Sequence, residues 1–208
     1  MTSPKKKSLA IYGGSFSPPH TGHVLACRAY LDRVGADRAM IIPAKKPPHK
    51  SLDNKVSDAD RVEMCKLAFC EDEQLSLRCE VSEWELMRED VSYTVNTVEH
   101  FISEGYEDIY LLIGTDMLLS FESWYRFRDI MAMATLCYID RENELTEKTR
   151  ECAQRFCAEY GARIIALDAP VFEASSTEIR DRIARGDNVD TLLPEKVKEY
   201  IIKNSLYK

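Results

Sequence analysis

The chain has 208 residues, 45% of them hydrophobic and 30% charged, with a formal net charge of −7, which fits one globular domain able to bury a core without disulfides or metal. The negative balance argues against a nucleic-acid-binding face, and no run approaches the roughly 18 to 20 apolar residues that cross a bilayer. Residues 1–7, with Lys5, Lys6 and Lys7, read as a flexible basic tail without the apolar core of a secretion signal, so a cytoplasmic protein is expected.

The first expected strand is 9–12, and Gly13-Gly14-Ser15-Phe16-Ser17-Pro18-Pro19-His20-Thr21-Gly22-His23 follows it directly. A helix is expected over 23–34, closed by Gly35. Glycine turns and helix starts expose backbone N–H groups, so this segment suits a polyphosphate, with imidazoles and hydroxyls as added donors. The plainer reading is a tight strand-to-helix turn whose histidines cap or pack. A second strand, 39–42, leads into Lys45, Lys46, Pro47, Pro48, His49 and Lys50, the densest basic stretch outside the tail. Such a run is solvated surface by default, and its place after a strand tips it towards phosphate.

Further along, the periodicity predicts a helix over 57–70 with Val62, Cys65 and Phe69 on one face, a strand over 75–79, and a helix over 94–104 closed by Gly105. A strand at 109–113 runs into Gly114 and Asp116, where the acid could accept from a ribose hydroxyl or cap the next helix. A helix over 121–134, a strand over 135–139, a helix over 145–160 and a strand over 163–167 come next. Two helices close the chain. Ser175 and Glu178 have capping-box spacing, Gly186 ends that helix, and Pro194 opens the last one, whose Val197, Tyr200 and Ile201 are expected in the core.

Alternating strands and helices predict an α/β fold with a Rossmann-like, doubly wound parallel sheet, a single domain over 1–208. Each motif falls just after a strand, where such sheets collect ligands. The seven cysteines are odd in number and form no Cys-x-x-Cys pair, which points to reduced thiols. No carboxylate or thiol lies near His20 and His23 in sequence to complete a metal shell, so no protein-held metal is expected.

The His20-Thr21-Gly22-His23 segment resembles the (H/T)xGH signature of the nucleotidyltransferase superfamily. With Pro47-Pro48-His49-Lys50, Ser92-Tyr93-Thr94, Ile113-Gly114-Thr115-Asp116, Ser123-Trp124-Tyr125 and Ser175-Ser176-Thr177-Glu178-Ile179-Arg180, in order along nearly the whole chain, it is similar to the bacterial-type nicotinate-mononucleotide adenylyltransferases. The resemblance implies transfer of AMP from ATP to nicotinate mononucleotide, with Mg2+ accompanying ATP. His20, His23 and Arg180 would then be catalytic. Gly13, Gly14, Ser15, Phe16, Gly22, Gly114, Asp116, Ser176 and Thr177 would bind ATP, with Gly22 avoiding a Cβ where nucleotide packs. Lys46, His49, Lys50, Thr94, Trp124 and Tyr125 would bind the mononucleotide, although Trp124 at this spacing would otherwise be read as core. Ser17, where relatives often carry Asp or Asn, and Lys45 and Lys46 depart from the common pattern.

Two other readings compete. One keeps the reaction but changes the acceptor to phosphopantetheine or another phosphorylated molecule. The other is a non-catalytic nucleotide sensor, which could dispense with His20, His23 or Arg180. An NAD-dependent oxidoreductase is disfavoured because Gly13-Gly14 lacks the Gly-x-Gly-x-x-Gly order. No nucleic-acid or membrane partner is expected, and a homo-oligomer stays open.

Overall fold

The computed structural model describes residues 7–47, 56–139, 146–168, 172 and 174–208. Its strands are β1 (Ser8–Gly14), β2 (Arg38–Pro43), β3 (Cys79–Val81), β4 (Asp108–Ile113), β5 (Ala134–Ile139) and β6 (Arg163–Leu167), in the sheet order β3-β2-β1-β4-β5-β6. β1 pairs parallel with β4, Ser8 opposite Asp108, and β4–β5 and β5–β6 are also parallel. The order reverses at β1, the point in an open α/β sheet where a crevice forms beyond the strand ends. The doubly wound sheet read from the sequence is the one observed.

The helices are α1 (Thr21–Val34), α2 (Asp58–Cys65), α3 (Thr94–Ser103), α4 (Thr115–Leu119), α5 (Phe127–Met133), α6 (Thr146–Tyr160), α7 (Ser176–Arg185) and α8 (Glu195–Lys203). Gly35 follows α1 with φ +62° and donates back to the Leu31 carbonyl, which is why glycine stands there. α2 opens on a complete capping box between Ser57 and Asp60 and widens into a π-helical turn over Lys66–Cys70. Central strands are apolar on both faces: Leu9, Ala10, Ile11, Ile41, Ile42, Leu111 and Leu136 are all buried. Among the described residues no helix is long and apolar enough to cross a membrane.

Two sequence expectations give way. The strand expected at 75–79 is a turn, with Leu75 and Ser76 N–H groups donating to the Asp72 carbonyl, and β3 begins only at Cys79. The Asp72 carboxylate accepts from the Gln74 N–H and bends the chain, which leaves Leu77 98% exposed. The helix expected over 121–134 is broken. Trp124 is extended (φ −74°, ψ 142°) and Arg126 is left-handed (φ 54°), so only α5 is regular and a short 3-10 turn, Phe121–Ser123, precedes it. Ion pairs from Arg126 to Glu99 and to Asp129 hold that corner. α4 was not anticipated.

The chain divides into two compact units. The first comprises Met1–Tyr12, Ala29–Met40 and Ser92–Ala169, and the second Gly13–Arg28, Ile41–Val91 and Pro170–Lys208. All seven cysteines are free. Burial pushes the Cys137 thiol up to about 12 and the Cys70 thiol up to about 11, so both stay protonated and unreactive near neutrality.

Candidate functional site

In the second unit the segment from Gly13 to His23 forms a turn built around one aromatic side chain. Phe16 is 1% exposed and adopts φ 45°, a conformation that side chains rarely occupy. Its ring packs edge-on against Phe69 (5.7 Å) and against His23 (5.2 Å). A Cβ on Gly14 would sit 3.0 Å from that ring, whereas one on Gly13 would meet nothing within 4 Å. Gly14 therefore makes room for Phe16. Gly13 leaves open space at the end of the strand.

The carbonyl oxygens of such a turn would repel an anion, and side-chain donors cover three of them. Arg61 Nη1 donates to the Ser15 carbonyl (2.8 Å), Arg180 Nη1 to the Ser17 carbonyl (2.8 Å), and Ser176 Oγ to the Pro18 carbonyl (3.0 Å). Two of the three donors are guanidinium groups; the Asp58 carboxylate offsets that of Arg61, so Arg180 brings the larger share of positive charge to the turn in a chain whose net charge is negative. These bonds also fasten the start of α7 to the residues just before His20, across 163 positions of sequence between Ser17 and Arg180. Arg180 Nη2 lies 3.2 Å from Thr177 Oγ1, leaving further N–H groups of its fork available.

His20 is 8% exposed, and its carbonyl accepts the N–H groups of His23 and Val24 in the first turn of α1. Its backbone N–H donates to His23 Nδ1 at 3.1 Å. An Nδ1 that accepts carries no proton, so the neutral His23 ring holds its proton on Nε2, as a donor. The two imidazole centroids are 3.7 Å apart, and Phe172 stacks on His20 at 5.3 Å with 12° between planes. A Cβ on Gly22 would come within 2.5 Å of the Phe172 ring. A side chain at 22 would collide with Phe172, which accounts for glycine at this position.

Ser175 caps α7 by accepting from the Glu178 N–H (3.2 Å), but the Glu178 carboxylate turns to Arg182 (2.7 Å). Half of the expected box therefore forms. Lys46 Nζ donates to the Glu89 carbonyl (2.8 Å) and Lys45 Nζ to the Leu86 carbonyl (2.8 Å), pinning their loop to residues 86–89. His49 and Lys50 lie outside the described residues.

The remaining expected residues belong to the first unit. Gly114 is the N-cap of α4, which removes Asp116 from that role, and a Cβ at 114 would meet Asp116 Oδ1 at 2.6 Å. The exposed Asp116 carboxylate thus lies over the end of β4, and a side chain at 114 would displace it. Tyr93 and Tyr125 rings meet at 4.7 Å, bringing the segment of Thr94, the first residue of α3, beside that of Trp124 and Tyr125. Trp124 packs on the buried Phe121 at 4.8 Å, and Tyr125 is 55% exposed. Among the described residues no group of three His, Cys, Asp or Glu could hold a metal ion.

Arg61 was missed by the sequence reading, and it is 2% exposed and ion-paired with the Asp58 carboxylate (2.6 Å). The signal was present: Arg61, Cys65 and Phe69 lie four apart, on the stripe already read as apolar. Arg61→Met keeps the volume and strips the Ser15 carbonyl and Asp58 of their donor. We expect a loss of about 2 kcal/mol of stability in urea titration, together with weaker polyphosphate binding by calorimetry. Unchanged values in both would remove Arg61 from the support of the turn.

Residues 11–182 match the family described as cytidylyltransferase-like. The chain is 32% identical over 200 residues to a probable nicotinate-nucleotide adenylyltransferase of Caldicellulosiruptor saccharolyticus, covering 96% of this chain and 98% of that one. It is 35% identical over 202 residues to the probable nicotinate-nucleotide adenylyltransferase of Bacillus pumilus, with 97% and 98% covered. A similar fold occurs in the Plasmodium falciparum nicotinic acid mononucleotide adenylyltransferase complexed with NaAD. There the TM-score is 0.76 at 18% identity, over 97% of each chain.

Proposed function

The chain belongs to the cytidylyltransferase-like family and, within it, to the nicotinate-nucleotide adenylyltransferases, and on that premise we propose how its residues divide the work of adenylyl transfer. The protein joins nicotinate mononucleotide to the AMP part of ATP, giving deamido-NAD and pyrophosphate in NAD biosynthesis. The observation that best supports the division of roles is the Arg180–Ser17 hydrogen bond, which ties α7 to the turn carrying His20.

The attacking group is a phosphate, largely ionised at neutral pH because its second pKa is near 6. No base is needed. An oxygen of the mononucleotide phosphate attacks the α-phosphorus of ATP, the bond from that phosphorus to the α,β-bridging oxygen breaks, and its electrons leave with pyrophosphate. The protein's part is to align the two phosphates and to offset charge on the departing one. In our reading His23 donates through Nε2 towards the α-phosphate and bridging oxygen, with His20 beside it. Arg180, Ser176, Thr177 and the α7 N-terminus hold the β and γ phosphates. Gly13, Gly14, Ser15, Phe16 and Gly22 shape the turn, while Gly114 and the Asp116 carboxylate serve the ribose.

For the second substrate, Trp124 offers the stacking face for the pyridine ring, with Thr94 and the backbone near Tyr125 as donors to its carboxylate. That arrangement favours nicotinate over nicotinamide. Lys46, His49 and Lys50 meet the mononucleotide phosphate. A divalent cation works with ATP in enzymes of this kind, and we assign Mg2+, carried in on the triphosphate as part of the substrate.

Purified protein with ATP, Mg2+ and one of three acceptors, followed by pyrophosphate release, tests the reading. Release is expected with nicotinate mononucleotide, far less with the nicotinamide form, and none with phosphopantetheine. Faster release with phosphopantetheine, or none with any acceptor, overturns it. In the same assay Trp124→Ala should raise KM for the mononucleotide about fivefold, the scale of about 1 kcal/mol for an aromatic contact, and leave KM for ATP unchanged. Equal losses for both substrates would contradict the stacking role.

A further inference from the structure

Helix α8 ends at Lys203, and the chain folds back on it, Leu206 N–H donating to the Ile201 carbonyl at 3.0 Å. Ser205 (φ 52°) and Tyr207 (φ 63°) both adopt the left-handed conformation that non-glycine residues avoid. Leu206 is 9% exposed and Tyr207 only 5%. This terminal hook buries a hydroxyl. Tyr207 OH lies 3.1 Å from Ser17 Oγ, a buried hydrogen bond between residues 190 apart in sequence.

Ser17 is 4% exposed, and its carbonyl is the acceptor for Arg180 Nη1. The serine is therefore held twice, by its backbone from α7 and by its side chain from the C-terminus. Backbone strain of this kind persists only where the surroundings enforce it, and it concentrates where geometry matters. We propose that Tyr207 is a positioning residue for the transfer step: by holding Ser17 it fixes the turn that presents His20 and the Arg180 guanidinium to the triphosphate. It acts through Ser17 and touches no substrate. A displacement of the turn by about 1 Å is enough to cost a large factor in rate, because alignment supplies much of the catalysis.

The inference rests on the adenylyl-transfer reading, which the parent protein's own production of pyrophosphate from ATP and nicotinate mononucleotide tests separately. Tyr207→Phe keeps the buried ring and removes only the hydroxyl; Ser17→Ala removes the other half of the pair. Each single variant is expected to lower kcat about tenfold with KM for nicotinate mononucleotide within twofold, and the double variant to be no slower than either. Hydrogen exchange should quicken at the amides of residues 15–23 in Tyr207→Phe and stay as in the parent across β4 and β5. A purely structural role gives a lowered Tm with unchanged kcat, or losses that add in the double variant, and either result overturns the proposal. If the parent itself made no pyrophosphate, the exchange experiment would still decide, since unchanged exchange over 15–23 sinks the tether.

Discussion

Replacing His23 with alanine is expected to lower kcat by about 10²- to 10³-fold, the usual cost of removing one preorganised donor to a developing oxyanion. The size follows from the tautomer. The His20 N–H occupies Nδ1, so Nε2–H is left as the donor. The ring is half-buried and touches Phe16 and His20, so its loss should cost about 1 kcal/mol of stability. KM for nicotinate mononucleotide should stay within twofold. Single-turnover kinetics with the parent and variant at saturating ATP separate the two effects. A kcat within threefold of the parent would remove His23 from the transition state.

Arg180→Ala should be at least as damaging, with kcat/KM for ATP falling about 10³-fold, at the lower end of what an arginine on a transferring phosphoryl group supplies. Two losses combine here. On the proposed roles the β and γ phosphates lose a fixed cation, and the Ser17 carbonyl loses its donor, so the turn before His20 is freed on one side. Arg180→Lys distinguishes these contributions because it restores charge without the planar fork. We expect it to recover no more than about tenfold. Full recovery by lysine would mean that charge alone matters and that the clasp on Ser17 does not. Stability is a control: Arg180 is half-buried and its helix stays capped by Ser175, so Tm should shift by only a few degrees.

The parts of the proposed site that the sequence pointed to share one property: their chemistry is carried by residues close together in sequence. Gly13 to His23 declares itself because a strand, a glycine turn and a helix start follow one another, and Ser175 to Arg180 does so as a capped helix start. The misread elements failed through side chains that override local preference. The Asp72 carboxylate bends the segment expected as a strand, and Arg126, paired with Glu99, breaks the segment expected as one helix. At Gly22 the sequence reading expected nucleotide beside the missing Cβ, and what such a Cβ would meet in the structure is Phe172, 150 positions later.

By itself the sequence determined the alternation of strands and helices and the doubly wound sheet, and it marked the two segments we propose to hold phosphate, because hydrophobic period, glycine and capping residues act over a few positions. Tertiary structure alone decided which donors silence the carbonyls of the turn. Arg61, Arg180 and Ser176 reach Ser15, Ser17 and Pro18, and Tyr207 reaches the Ser17 hydroxyl, from residues far along the chain. Nothing in local periodicity encodes a hydrogen bond between distant residues. Such bonds exist only once the packing of α2, α7 and α8 has brought the groups within 3 Å or so of each other, where an unmet carbonyl or guanidinium would otherwise be costly to bury.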